Sequence, residues 1–205
     1  MQTPPKPNYQ RELEQTLSTI PAGTKPHLFL HACCAPCSSY CIEYLSKYFN
    51  VTLFFYNPNI SSDSEYEKRA RELKRLIGET EYPNKVSYIE AAYEPKEFYD
   101  TVKGYEDCAE GHERCFLCYE LRLDKTARAA VSGNYDYFCT TLSISPLKNA
   151  EKINEIGYKL QEKYNISWLP SDFKKKEGFK RSIELSNEHN LYRQNYCGCV
   201  YSVRK

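Results

Sequence analysis

Short apolar runs alternate along this chain with longer stretches whose apolar residues recur at helical spacing. H-L-F-L-H at 27–31 and V-T-L-F-F-Y at 51–56 read as strands. Residues 85–90 read as a weaker third strand, 135–140 as a fourth and 166–169 as a short fifth. Between them, helical spacing predicts helices over 38–49, 62–77, 94–102, 114–132, 151–164 and 180–190. N-P-N-I at 57–60 breaks the second strand, and L-S-I-S-P-L-K after the fourth reads as a loop. A further amphipathic helix is expected over 9–19, with Leu13 and Leu17 on one face, after a Pro-rich, frayed start at 1–8. Strand–helix alternation of this kind predicts an α/β domain: a parallel sheet with helices on both faces. There is no internal repeat or low-complexity linker. The expected organisation is an N-terminal extension with a short helix over 1–25 and one α/β catalytic domain over 26–205. Sites in such sheets lie beyond the carboxyl ends of the strands, so the segments after Phe29, Tyr56 and Cys139 are where chemistry is expected.

Composition sharpens this picture in one respect. The 205 residues carry 28 Lys+Arg against 27 Asp+Glu, which excludes a globally basic nucleic-acid coat and leaves room for a local patch. Mean hydropathy is −0.69, no apolar run is long enough to span a bilayer, and the start lacks an apolar signal core. A cytoplasmic protein without a membrane partner is expected. The ten cysteines are the abnormal count. With no export signal, clustered thiols point to metal or redox chemistry rather than a disulfide scaffold.

The thiols fall into groups. Cys33, Cys34, Cys37 and Cys41 leave the first strand and enter a helix, whose positive end favours the thiolate that binds metal. Cys41 either shares a face with Cys37 or packs. Cys115 and Cys118 form a C-x-x-C at a helix start, a half-site for zinc or iron–sulfur, with Cys108 upstream. Cys197 and Cys199 flank Gly198; one intervening residue would close a small, strained disulfide ring of the labile, regulatory or catalytic kind, the alternative being free thiols or further metal ligands. Cys139, at a strand end, reads as packed core. Histidine at zinc spacing is absent, so the donor set leans to iron–sulfur or all-cysteine zinc. The nucleotide cradles G-x-x-x-x-G-K-[ST] and G-x-G-x-x-G are absent too.

Residues 171–181, S-D-F-K-K-K-E-G-F-K-R, hold Lys174, Lys175, Lys176, Lys180 and Arg181, with Arg193 nearby. Interleaved with Phe173, Phe179 and Tyr192, they form a candidate phosphate-contacting surface whose bland alternative is a solvated face. Arg114, Arg122, Lys125 and Arg128 on one predicted helix are candidate additions.

In order along the chain, H-A-C-C-A-P-C-S-S-Y, N-P-N-I with E-Y-E-K-R-A-R-E-L, R-C-F-L-C-Y-E-L-R-L, S-D-F-K-K-K-E-G-F-K-R-S-I-E-L-S and L-Y-R-Q-N-Y-C-G-C-V-Y-S resemble the cobalamin-independent epoxyqueuosine reductases, the QueH family. The resemblance spans about residues 8–202 and implies a Rossmann-like fold akin to the adenine-nucleotide α-hydrolase group. It further implies a 4Fe–4S cluster held by Cys33, Cys34, Cys115 and Cys118, and a redox-active pair at Cys197 and Cys199. Cys37 matches a position used near a second, mononuclear iron. The implied activity is two-electron reduction of the epoxide of epoxyqueuosine to queuosine at the tRNA wobble position, the last step of queuosine synthesis. It calls for a tRNA carrying epoxyqueuosine and an external electron donor. Two alternatives stand beside it. An iron–sulfur tRNA thiolase would carry S-G-G-x-D-S after the first strand, where this chain has C-C-A-P-C. A zinc-stabilised RNA-binding module would be colourless.

Overall fold

The first strand, β1 (His27–His31), is buried along all but its first residue, as a strand covered on both faces must be. It pairs in parallel with β2 (Asn50–Phe55) on one side and β4 (Tyr137–Thr140) on the other. Half-exposed β3 (Val86–Glu90) and the short β5 (Ser167–Trp168) form the edges, giving a five-stranded parallel sheet in the order β3-β2-β1-β4-β5. The computed structural model describes residues 7–202; most of the Pro-rich start expected to fray lies outside them.

Alternation along β1 splits the core in two. Leu28 and Leu30 pack with Leu53, Phe55 and Cys139 beneath α1 (Tyr9–Thr19), α2 (Ala35–Leu45) and α3 (Asp63–Glu79). Phe29 packs on the opposite face with Phe54, Phe138 and Trp168, beneath α5 (Glu113–Ser132) and α6 (Ala150–Tyr164). Leu13 and Leu17 of α1 join the first core. The short α4 (Pro95–Val102) lies beside α5, and α7 (Gly178–Glu188) beside α2.

Element types follow the sequence expectation; some boundaries differ for local reasons. Helix α2 starts at Ala35 rather than residue 38, because Pro36 suits a first helical turn. It ends at Leu45 rather than 49, where Tyr48 and Phe49 donate their N–H groups to the Leu45 carbonyl. Helix α7 starts at Gly178, where a Cβ would lie 2.0 Å from the Phe173 carbonyl oxygen. The expected loop after β4 begins with a 3-10 turn, Thr141–Ile144, capped by the Thr140 hydroxyl accepting from Leu142 N–H.

The strand order reverses between β1 and β4. A crevice opens at such a switch point, beyond the carboxyl ends of the strands. Cys33 and Thr141 face each other across it, with Cys33 N–H donating to Thr141 Oγ1 at 3.3 Å.

Candidate metal and substrate site

Cys33, Cys34 and Cys37 place their sulfurs within 4.8 Å of one another at the start of α2. Cys34 is the residue before the helix; it is extended, and its side chain makes no capping hydrogen bond. The Cys33 and Cys34 sulfurs are 3.8 Å apart. A metal–sulfur bond of about 2.3 Å puts tetrahedral edges at about 3.8 Å, so this spacing suits two thiolates on one ion. Hydrogen bonds from Cys34 and Cys37 hold the Cys33 thiol well below its usual range, against the effect of burial. The same contact pushes Cys34 up to about 12, and Cys37 rises too. Of the three, Cys33 is thus the thiol most readily ionised, at a helix N-terminus that favours a thiolate.

The triad lines a cavity of about 380 Å³ whose apolar wall includes Leu142, Ile144, Pro146 and Leu147. Beyond it lies a cavity of about 20 Å³ lined by Cys115, Cys118, Cys197 and Cys199. Cys197, Glu110 and Lys148 line both. The cysteines of all three sequence blocks therefore meet around two adjoining spaces. Among the described residues, Cys115 and Cys118 lie outside the 4.8 Å group. All ten cysteines are free thiols. Cys41 packs, donating to the Cys37 carbonyl at 3.3 Å, and Cys139 is buried against the Leu169 carbonyl at 3.2 Å. Cys108 is half-buried and lines neither cavity.

The C-G-C segment is clamped to the loop after β2. Ser61 N–H donates to the Gly198 carbonyl at 3.0 Å, and Arg69 Nη1 to the Cys197 carbonyl at 3.0 Å. Asn59 Nδ2 lies 3.9 Å from Cys197 Sγ. Gly198 has φ +103°, a conformation that a side chain strains. Burial pushes the Cys199 thiol up to about 12.

Sequence reasoning missed Arg69 and Lys148 and did not foresee the burial of Arg114 and Arg122. Arg69, Arg114, Arg122 and Lys148 are each at most 8% exposed and contribute to the walls of these cavities. Arg69 pairs with Glu65 at 2.7 Å and Lys148 with Glu110 at 3.3 Å. Arg114 donates to the carbonyls of Tyr105, Glu106 and Cys108, and Arg122 has no carboxylate partner among the described residues. Burial opposes the charge on Lys148, but Cys197, Tyr119, Cys115 and Glu110 outweigh it and raise its pKa. Arg114 and Arg122 thus face inward, correcting their expected place on a surface patch. Lys125 and Arg128 remain outside, paired with Glu97 at 3.6 Å and Asp124 at 2.9 Å. A lysine in the loop after β4 was the available signal for Lys148.

The lysine-rich stretch is less free than its sequence suggests. Lys174 pairs with Asp172 at 2.5 Å, Lys176 with Glu14, and Lys180 with Glu177 at 2.9 Å. Arg181 is held by Glu43 and Glu188, both at 2.8 Å, and by Glu184 at 3.4 Å. Among the described residues, Lys175 and Arg193 have no ionic partner, and Arg193 lines the larger cavity. Phe173 is core, whereas Phe179 lines the cavity.

A family model described as "Epoxyqueuosine reductase QueH" matches residues 28–205. The chain belongs to the epoxyqueuosine reductase QueH family. This QueH-family chain is 44% identical over 207 residues to epoxyqueuosine reductase QueH of Staphylococcus epidermidis, covering 98% of this chain and 86% of that protein. Its identity to the Streptococcus pyogenes enzyme is 42%, over 97% of this chain and 79% of the other. The Thermotoga maritima enzyme is 38% identical, over 86% and 90% respectively. Among solved structures, the U34-tRNA thiolase NcsA from Methanococcus maripaludis with its [4Fe-4S] cluster aligns with TM-score 0.54 at 12% identity. That alignment covers 95% of this chain and 68% of the thiolase, and shows that the QueH-family chain shares its α/β fold.

Proposed function

We propose that this protein reduces the epoxide of epoxyqueuosine to the alkene of queuosine in tRNA. The observation that carries the reading is the meeting of three cysteine blocks around two adjoining cavities at the sheet's switch point, in a chain of this family. In this reading Cys33, Cys34, Cys115 and Cys118 hold a 4Fe–4S cluster, and Cys37 faces a second iron.

The donor set and its surroundings suit such a group. An iron–sulfur cluster on four thiolates is anionic, and the buried cations around these thiols outnumber the carboxylates that pair with them. Buried charge without a counter-charge is expensive, so the walls call for an anionic occupant. When bound, the cluster supplies electrons singly at a Lewis-acidic metal.

The remaining chemistry falls to the chain. Turning an epoxide into an alkene and water takes two electrons and two protons. Cys197 and Cys199, oxidised together from two thiols to one disulfide, release that number of each, and an external donor resets the pair. Burial keeps Cys199 a thiol, and so a proton carrier, at neutral pH. Lys148 holds a positive charge at the shared wall, where oxygen leaving the ring would develop negative charge. Leu142, Ile144, Pro146 and Leu147 give the cavity an apolar wall. Lys175 and Arg193, with the partly engaged Lys174, Lys176 and Lys180, meet anticodon-loop phosphates, and Phe179 and Tyr196 offer stacking faces. No described helix is long and apolar enough to cross a membrane.

The test is anaerobic purification followed by iron and sulfide analysis, then incubation with a reductant and tRNA carrying epoxyqueuosine. A brown protein that yields queuosine on nucleoside mass spectrometry is expected. A colourless zinc protein that binds the tRNA unchanged would overturn the reading in favour of a non-catalytic RNA-binding module.

A further inference from the structure

We propose that Arg122 is a positioning residue that holds the Cys118 sulfur through an N–H···S contact and raises the reduction potential of the metal group bound there. The inference rests on the cluster reading above and adds a residue to it.

Arg122 follows Cys118 by one helical turn on α5, so the two share a face. Its side chain is 1% exposed. Nη1 lies 3.9 Å from Cys118 Sγ, Nε donates to His31 Nε2 at 3.2 Å, and Nη2 donates to Asn57 Oδ1 at 2.6 Å. Asn57 is itself fixed by donating to the Ala32 carbonyl at 2.9 Å, and the other nitrogen of His31 meets Thr140 Oγ1 at 2.8 Å. The guanidinium is therefore aimed by three elements at once: β1, the loop after β2, and α5.

None of these partners carries a formal charge that balances it. Arg69 and Lys148 have Glu65 and Glu110; Arg122 has no carboxylate within salt-bridge distance among the described residues. A fully buried, permanently charged group without an anion is costly in a protein interior. The groups beside it that can become anionic are sulfurs, Cys118 first, then Cys197 and Cys33. A thiolate-bound metal group gains a further negative charge on reduction. A fixed cation and an N–H donor at its sulfur stabilise that reduced state more than the oxidised one, which raises the potential. The sequence separation of four residues makes this a property of the helix, present before any metal binds.

The test compares the parent with Arg122→Gln, Arg122→Met and Arg122→Lys, each reconstituted anaerobically. Iron content, a redox titration followed by electron paramagnetic resonance, and thermal unfolding of the metal-free forms are measured. Removing the charge should lower the reduced-to-oxidised ratio at a fixed ambient potential at least tenfold, about 59 mV for one electron. Lysine should restore part of it. Metal-free Arg122→Met should unfold no earlier than the parent, since it loses an unbalanced charge. Failure of the glutamine and methionine variants to load, with loading kept by lysine, supports the same role. An unchanged potential in loaded Arg122→Gln overturns the proposal. So does loss of loading in all three variants with early unfolding of their metal-free forms, which would make Arg122 a packing residue. A parent that binds no iron–sulfur cluster instead refutes the cluster reading itself.

Discussion

Replacing Gly198 with alanine should undock the C-G-C segment while leaving the α/β domain folded. At φ +103° an L-residue is strained by about 1–3 kcal/mol. The new Cβ would also sit 3.0 Å from Ile60 Cγ1 and 3.1 Å from Arg69 Nη1, tighter than ordinary contact. The group best able to yield is Arg69, whose bond to the Cys197 carbonyl would break; a hydrogen bond from a charged donor is worth about 1.5–3 kcal/mol. What otherwise holds the segment is the Ser61 N–H and hydroxyl on the Gly198 carbonyl, at 3.0 and 3.2 Å, and the packing of Cys199 against Phe98, Val102 and Cys118. The penalty offsets a large part of this local attachment, so local opening is expected before global unfolding. Cys199 is 8% exposed and reports this opening directly. In metal-free, reduced protein, its alkylation, mapped by peptide mass spectrometry, should accelerate at least about tenfold, the factor for roughly 1.4 kcal/mol. Gly104→Ala is the control: φ is +86° there, but the Cβ meets open space, so Cys199 should stay protected. Unchanged alkylation of Cys199 in Gly198→Ala would refute the reasoning.

Other expected outcomes follow from the same geometry. Burial and then the Arg122 charge depress His31 to about 3 from its ordinary 6.5, so the unfolded chain takes up this proton first as pH falls. Stability of the metal-free protein should therefore drop below pH 6.5 by up to about 1.4 kcal/mol per pH unit relative to His31→Gln; parallel denaturation curves would exclude this. Gly157→Ala puts a Cβ 2.2 Å from the Trp168 ring and should cost about 1–3 kcal/mol in urea unfolding; an unshifted midpoint would show that α6 is free to move away. Cys197→Ser and Cys199→Ser should keep iron and sulfide yet lose multiple turnover, whereas loss of the metal would make these residues ligands. Lys175→Ala and Arg193→Ala should each flatten the salt dependence of tRNA binding by about 0.7 per lost single-strand phosphate contact, and Arg181→Ala should not, because its charge is already engaged.

Much of this molecule was legible in its order of residues. Short continuous apolar runs and helices with period near 3.6 are local properties, so the element types and the α/β class could be read directly. The three cysteine blocks announced themselves by spacing, and their resemblance to a known family named the activity expected of them. Helix ends shifted where a proline or a close backbone contact decided them, as at Pro36 and Gly178. What only the tertiary structure decided is which charges meet which partners. Lys174, Lys176, Lys180 and Arg181 look like one basic surface in sequence, yet their carboxylates come partly from α1 and α2, far away along the chain. Arg122 looks like one more surface cation, yet the fold buries it against His31, Asn57 and Cys118. Burial and counter-charge depend on long-range neighbours, because the free energy of a charge is set by whatever replaces its water. A linear pattern can name the thiols of this site, but only the packed chain shows the cations waiting for their negative charge.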